Sequence, residues 1–394
     1  MAAMGKITMY GATWCGDCKR AKKFFGEQRV HYDWIDVDEH PEAAEIVEQL
    51  NHGKRIIPTI LFDDGSVLVE PSNAELAEKL GLQTRAKMSY YDVIVIGSGP
   101  AGLTAAIYGA REGMDVLVIE RSGLGGQTSI TEHLENFPAF PEGISGAEFA
   151  DRLVQQARRF GVEILQAQKV TGIRAEAESR YVTTGDGAVY GARAVLIATG
   201  STYKRLNVPG EDDYIGAGVH FCATCDGPFY KDKPVVVVGG GNSAVEEGLF
   251  LTRFASHVTM LVRGTQLSAS KIAIDKAMES DRVDVRFNTE VTALKGDRKL
   301  REVAVKNTAT GETETLHPAG MFVFVGLSPN TKWLPKEIEL DERGFIVTSP
   351  TLETSMTGVF AAGDVRKGST KQAASAAGEG ATAALMIREY LKAG

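Results

Sequence analysis

Apolar and polar positions follow two different patterns along this chain, and the change comes near residue 90. Before it, short apolar runs at residues 7–10, 32–37, 59–62 and 67–69 predict strands, while residues 19–28, 41–50 and 73–80 predict helices. Asp64-Gly65 between the last two runs is a hairpin signal, so the segment reads βαβαββα over about 80 residues. Residues 83–89 have little apolar content and read as an interdomain linker. Beyond them, the β-branched runs at 91–96 and 234–238 are nearly continuous in apolar character, as buried parallel strands are. Each is followed by a glycine-rich turn. The two lie roughly 140 residues apart, which predicts two dinucleotide-type modules rather than a short-period solenoid.

Composition narrows the function. The chain has 394 residues, enough for two or three domains, with 51 acidic and 43 basic side chains and a formal net charge of −8. That balance argues against broad electrostatic binding to nucleic acid or anionic membrane. No apolar run is long enough to span a membrane, and the first residues lack the apolar region of a signal peptide, so a cytoplasmic location is expected. HExxH, GxSxG and GxxxxGK[ST] patterns are absent, which leaves no hydrolase or NTPase signature.

The four cysteines form two Cys-x-x-Cys pairs, Cys15/Cys18 and Cys222/Cys225. Zinc ribbons space their pairs within a few tens of residues, whereas these stand roughly 200 apart, so redox dithiols are expected and no metal. Cys15 follows a strand and opens a helix, where the helix dipole stabilises a thiolate. Asp226, beside the second pair, is the candidate acid/base for the proton that a dithiol gains or loses. His220, two residues before Cys222, reads as structural.

The first glycine turn, Gly97-Ser98-Gly99-Pro100-Ala101-Gly102, lies between a strand and a helix. Its glycines allow a tight turn and close approach of a pyrophosphate to the helix N-terminus. The next strand, 116–119, ends at Glu120, where a carboxylate can accept both ribose hydroxyls. The second turn, Gly239-Gly240-Gly241-Asn242-Ser243-Ala244, is followed by a strand at 258–263 that ends in Arg263. An arginine there can pair with a 2′-phosphate that an acid would repel, so this module leans toward NADPH.

Residues 90–394 resemble the low-molecular-weight thioredoxin reductase family. The resemblance rests on both glycine turns, Glu120, Gly125-Gly126-Gln127, Glu135-Asn136-Phe137-Pro138, Ala198-Thr199-Gly200, Cys222 to Gly227, 325–331, 358–364 and Lys371-Gln372-Ala373. It implies a homodimeric flavoprotein whose FAD domain, 90–204 and 329–394, is split around an NAD(P)H domain at 205–328. Gly126, Gln127, Asn136, Ala198, Thr199, Gly200 and Gly363 would line the FAD site. Asp364 would meet the ribityl or phosphate region, with Gln372 and Ala373 near the flavin ring. Cys225 would face the flavin, and Cys222 would attack the partner disulfide. The family's nucleotide-phosphate signature is His-Arg-Arg and a later arginine, but here Val262-Arg263-Gly264 and Ser268 stand there. NADH therefore stays open beside NADPH.

Residues 1–82 are similar to the glutaredoxin family, in its mycoredoxin-like branch, through Trp14-Cys15-Gly16-Asp17-Cys18, Ile57-Pro58-Thr59 and Asp63-Asp64-Gly65-Ser66. The resemblance implies Cys15 as nucleophile and Cys18 as resolving thiol, with a cis-proline loop opposite them. The expected fold is thus α/β, a thioredoxin-like unit followed by a two-module Rossmann-like flavoprotein. The expected activity is a relay from NADPH to FAD, to Cys222/Cys225, to Cys15/Cys18 and on to a protein or low-molecular-weight disulfide. Two alternatives remain: an NADH-linked peroxiredoxin reductase, whose N-terminal part is a doubled thioredoxin fold, and a flavin redox sensor without turnover.

Overall fold

A computed structural model describes residues 6–393 except Glu132, His133 and Glu135, and except the side chains of Ile130, Thr224 and Cys225. The first 80 residues fold as β1 (Thr8–Gly11), α1 (Gly16–Gln28), β2 (Asp33–Asp36), α2 (Pro41–Leu50), β3 (Thr59–Leu61), β4 (Val67–Val69) and α3 (Asn73–Lys79). The sheet order is β2-β1-β3-β4, with β1 and β2 parallel and the other pairs antiparallel. Met9, Phe25, Ile60 and Leu76 fill one face of that sheet and Val37, Ala43 and Val47 lie on the other. Pro41 starts α2, where its missing N–H costs nothing, and Ser72 and Glu75 close a capping box on α3. The helix expected from residue 19 begins three residues earlier. Cys15 occupies the N-cap, with its Sγ accepting the Cys18 N–H at 3.1 Å, so the dithiol itself nucleates the first turn.

The rest of the chain builds two large sheets and two smaller antiparallel ones, Ser201–Tyr203 with Leu327–Pro329 and Thr289–Gly296 with Leu300–Asn307 and Thr313–Leu316. In the first, β5 (Tyr90–Ile96), α4 (Pro100–Arg111), β6 (Val116–Ile119), β7 (Glu163–Leu165), β8 (Val170–Glu176), β9 (Ser179–Thr184) and β10 (Val189–Ile197) give the order β7-β6-β5-β10-β9-β8. The distant strand Val359–Ala361 adds in parallel to β10. The helix Ala373–Ala393 packs on α4 so closely that a Cβ on Gly380 would lie 2.1 Å from the Ala101 carbonyl. The second sheet is parallel, in the order Val219–His220, Gly320–Val323, Pro234–Val238, His257–Leu261, Val283–Arg286.

Contacts divide the chain into two units. One holds residues up to Thr128, Glu148–Gly200 and the chain from Thr331 on; the other holds Ser129–Ala147 and Ser201–Asn330. The thioredoxin-like unit and the first sheet share one unit, and residues 83–89 do not behave as a loose tether. The Gln83 carbonyl accepts from Gln166 N–H at 2.8 Å, Lys87 N–H donates to Glu163 at 2.8 Å, and Tyr91 Oη donates to the same carboxylate at 2.7 Å. Among the described residues no helix is long and apolar enough to cross a membrane, and no group of three His, Cys, Asp or Glu side chains converges on a metal site.

Candidate active site

The N-terminal dithiol sits where β1 hands over to α1. Cys15 is buried, and its thiol points at the Ile57 carbonyl, 3.7 Å away, beside the cis Ile57–Pro58 bond. Cys18 is deeper, 1% exposed, and burial pushes its thiol up to about 12, helped by its hydrogen bond to Cys15. Both are free thiols. Gly11 gives them room: a Cβ there would lie 2.7 Å from both Cys18 Sγ and the Trp34 ring. Trp14 is 69% exposed next to Cys15, with its indole held by Asp38 at 2.8 Å. Of the basic side chains Lys19, Arg20, Lys22 and Lys23 on α1, Lys19 and Lys23 are exposed and the other two are held. Arg20 pairs with Asp17 and donates to the Pro71 carbonyl, and the Lys22 ammonium sits 3.3 Å above the Trp34 ring.

In the unit built on the first sheet, several predicted cofactor residues converge. Gly97 has φ +107, and a Cβ there would lie 2.4 Å from the Ala198 carbonyl oxygen. Gly126 and Gly99 approach so that a Cβ on Gly126 would lie 3.0 Å from Gly99 Cα. Gly363 likewise faces Ala101. Gly99 caps α4 without a side-chain hydrogen bond, and Pro100 fills the first helical position. The turn therefore fits a pyrophosphate, with backbone room and uncapped N–H groups at a helix start. Glu120 is buried and heavily used. Its Oε2 accepts from Ser98 N–H and Oγ at 2.8 and 2.9 Å, and its Oε1 accepts from Ser122 N–H and Oγ at 2.9 and 3.0 Å. Asp364 accepts from Ser369 Oγ at 3.2 Å, and burial raises its pKa against the opposing charge of Lys371. Thr199, Gly200, Gln127, Gln372 and Ala373 belong to this same unit.

Asn136, Cys222, Cys225, Asp226, Arg263 and 239–244 belong to the other unit. The backbone of the second Cys-x-x-Cys forms the short helix Ala223–Asp226, with Asp226 N–H donating to the Cys222 carbonyl at 3.1 Å. Ala223 is packed with Ala244 and Val245, which places the dithiol helix against Asn242–Leu251, the helix after the second glycine turn. Cys222 is disulfide-bonded, whereas the Cys225 side chain and Glu135 lie outside the described residues. Asp226 is buried with its Oδ1 3.4 Å from His220 Nδ1, and His220 Nε2 hydrogen-bonds Tyr230 Oη at 2.6 Å. Sequence reading took His220 as structural and missed Tyr230. Their only signal would have been the proximity of two polar aromatic residues to Asp226, which periodicity does not report.

The second glycine turn is shaped like the first. Gly239 has φ +143, a Cβ on it would meet the Phe324 carbonyl oxygen at 2.5 Å, and Gly241 caps its helix without a side chain. The strand expected to end at Arg263 ends at Leu261, because the chain turns at 263–264 to meet Asn288, whose N–H donates to the Gly264 carbonyl. Arg263 is exposed in that turn. Ser268, at the place of the family's later arginine, is tied back by its N–H to the Gly240 carbonyl at 2.7 Å.

A buried dithiol beside a thioredoxin-type proline loop, joined to two glycine-turn modules and a second dithiol, defines the class of nucleotide-dependent disulfide reductases. Comparison with known proteins gives the family. Residues 91–380 match the pyridine nucleotide-disulphide oxidoreductases, and residues 7–67 match glutaredoxin. A thioredoxin reductase of Streptomyces clavuligerus is 43% identical over 304 residues, covering 77% of this chain and 94% of the relative. A bifunctional thioredoxin reductase/thioredoxin of Mycobacterium leprae is 41% identical over 307 residues, or 78% of this chain and 67% of the relative. The crystal structure of thioredoxin reductase from Streptococcus pyogenes aligns with TM-score 0.74 and 40% identity, over 78% of this chain and 99% of that one. The chain belongs to the pyridine nucleotide-disulphide oxidoreductase family and is an FAD-dependent disulfide oxidoreductase carrying an N-terminal glutaredoxin domain.

Proposed function

We propose that this chain is a self-contained disulfide reductase in which Cys222/Cys225 pass two electrons to Cys15/Cys18, and these to an external protein or low-molecular-weight disulfide. The observation that carries this reading is the pair of dithiols in one chain, each at the start of a helix, with Cys222 bonded and Cys15 and Cys18 free. When bound, FAD supplies the two-electron step between a reduced nicotinamide and a disulfide. Residues 97–102, Gly126, Gln127, Ala198, Thr199, Gly200, Gly363, Asp364, Gln372 and Ala373, all of one unit, would hold it. Because all four acceptor positions of Glu120 are used, a ribose would take the place of the Ser98 or Ser122 hydroxyl.

At the terminal site, the Cys15 thiolate attacks the substrate disulfide, forming a mixed disulfide and releasing one substrate thiol. Cys18 then loses its proton and attacks Cys15, which releases the second thiol and leaves a Cys15–Cys18 disulfide. The raised pKa of Cys18 suits this order. It stays a protonated thiol until Cys15 enters the mixed disulfide, which removes the Cys15 hydrogen bond and charge that help hold the pKa up. Once its own disulfide with Cys225 has been reduced, Cys222 attacks Cys15 and releases the Cys18 thiol. Cys225 then attacks Cys222, releases the Cys15 thiol and restores the Cys222–Cys225 disulfide, while Asp226, backed by His220 and Tyr230, moves the proton at the second dithiol.

Arg263 and Lys271, exposed near the second turn and without ion-pair partners among the described residues, support NADPH over NADH. The resemblance to thioredoxin reductases further implies a homodimer, and the proposed place of action is the cytoplasm. The glutaredoxin match over residues 7–67 favours a glutaredoxin-type unit over the thioredoxin-type unit of peroxiredoxin reductases. The test is consumption of NADPH, beside NADH, with a small aromatic disulfide, glutathione disulfide and a protein disulfide. The relay predicts turnover with NADPH, where a redox sensor would give none with any disulfide, and NADH matching NADPH would sink the nucleotide assignment.

A further inference from the structure

The C-terminal end of α1 rests on the loop that follows β6. Arg29, in the left-handed conformation at φ +57, caps the helix and extends its guanidinium to two carbonyls of that loop. Nη1 donates to Leu124 O at 2.6 Å and Nη2 to Gly126 O at 2.8 Å. Beside it, Gln28 Nε2 donates to Arg121 O at 3.0 Å, and Gly123 N–H donates to Glu27 O at 2.6 Å. The Arg29 stem lies along Gly123, where a Cβ would come within 3.0 Å of its Cγ and Cδ. On the flavin-domain side, Ala167 packs against the glutaredoxin core.

This loop joins Glu120 to Gly126, two of the residues read as lining the FAD site, and Gly126 itself touches Gly99 of the first glycine turn. One guanidinium therefore fixes the same backbone that would have to be in place for the nucleotide. Gln28 adds a second observation. Its side chain is buried at this junction and is held to the same loop through Nε2, while its Oε1 has no hydrogen-bond partner among the described residues. The dithiol is at the opposite end of α1, and 13 residues of helix put it about 20 Å from the junction. The contact thus leaves the chemistry untouched and acts only on position.

We propose that Arg29 is a latch that couples docking of the glutaredoxin domain to retention of FAD. The proposal rests on the FAD reading of the 97–126 loops but not on the relay between dithiols. A cofactor that orders residues 121–126 strengthens docking, and docking raises the affinity for FAD by the same factor, because coupling between two binding equilibria is reciprocal.

The test compares the full-length chain with Arg29→Met, which keeps the stem and the φ of the cap but removes the donors, and with Gly123→Leu, a wedge from the other side. FAD dissociation is followed by the fluorescence of released flavin, and docking by the rate of limited proteolysis at residues 83–89. Alkylation of Cys15 checks that the glutaredoxin domain is folded. Each variant is expected to bind FAD roughly five- to tenfold more weakly, the lower end of an ordinary coupling. Linker cleavage should accelerate in both, the double variant should be no worse than either single one, and stripping FAD from wild type should speed cleavage by a similar factor. FAD affinity within twofold of wild type, additive losses in the double variant, or cleavage indifferent to FAD would each overturn the latch. A wild-type chain that holds no FAD would overturn both the latch and the cofactor reading.

Discussion

Cys18 provides a sharp test of the N-terminal site. Its thiol is moved from the ordinary value of 9.0 to about 12, chiefly by burial. Three pH units lower the thiolate fraction at pH 8 about 1,000-fold, but a more basic thiolate is also a better nucleophile. With a Brønsted coefficient of about 0.4–0.5, that gain is roughly 15- to 30-fold, so alkylation should be slowed by roughly 30- to 60-fold overall, before restricted access adds more. The assay is iodoacetamide labelling of the folded chain with the Cys222 disulfide intact, read by peptide mass spectrometry, with the same peptide in urea as reference. The rate at Cys18 should rise tenfold per pH unit well past pH 9 instead of levelling there. The folded chain keeps this proton where the unfolded chain loses it, so stability is fully present below pH 9. It falls between about pH 9 and 12, by up to about 1.4 kcal/mol per unit. Labelling within threefold of the urea reference at pH 8, or a plateau near pH 9, would refute the reasoning.

Three further outcomes follow from the geometry. Asp226→Asn should retain its flavin absorbance but slow turnover by roughly 10²- to 10⁴-fold, the usual range for a lost acid/base, and unchanged turnover would remove Asp226 from proton transfer. Glu379 accepts from Gly363 N–H at 2.7 Å and pairs with Arg366 at 3.0 Å in a mostly buried setting. Glu379→Ala should cost about 3 kcal/mol in urea denaturation and loosen the Gly363–Asp364 loop, and a loss below 0.5 kcal/mol (about the surface range) would contradict this. In Gly102→Ala the new Cβ would lie 2.0 Å from the Gly97 carbonyl oxygen, a backbone clash. The variant should be purified with far less flavin per chain and about 1–3 kcal/mol less stable, whereas full flavin content would show that the first turn does not bind it.

What could be read from the sequence was local. Strands 67–69 and 116–119 and helix 41–50 coincide with Val67–Val69, Val116–Ile119 and Pro41–Leu50, because periodicity, a proline at the first turn and a hairpin signal act within a few residues. The glycine turns were legible for the same reason: strand, turn and helix are contiguous. Contacts over long separations were not. Arg29 meets carbonyls 95 and 97 positions away, and nothing in its neighbourhood on α1 distinguishes it from a surface arginine. Glu120 was read as a ribose acceptor from its place at a strand end, but its use by Ser98 and Ser122 depends on how the two loops fold over it. The network of Asp226, His220 and Tyr230 needs the turn of the short helix Ala223–Asp226 to bring position 226 back to position 220. The linker was legible from its low apolar content, but not that it is held, because the single carboxylate of Glu163 that gathers its backbone and Tyr91 lies far away in the chain.

The central claim, transfer between the two dithiols, is tested most directly by trapping it. In the double variant Cys18→Ser, Cys225→Ser each site keeps only the sulfur that forms the inter-site bond. Activation of Cys15 with an aromatic disulfide, followed by peptide mapping without reduction, should yield a covalent Cys15–Cys222 peptide pair and release one aromatic thiol per bond formed. If the activated Cys15 persists while Cys222 stays free, and Cys15→Ser in the otherwise native chain turns over every disulfide at the wild-type rate, then Cys222/Cys225 serves substrates directly and the relay is wrong.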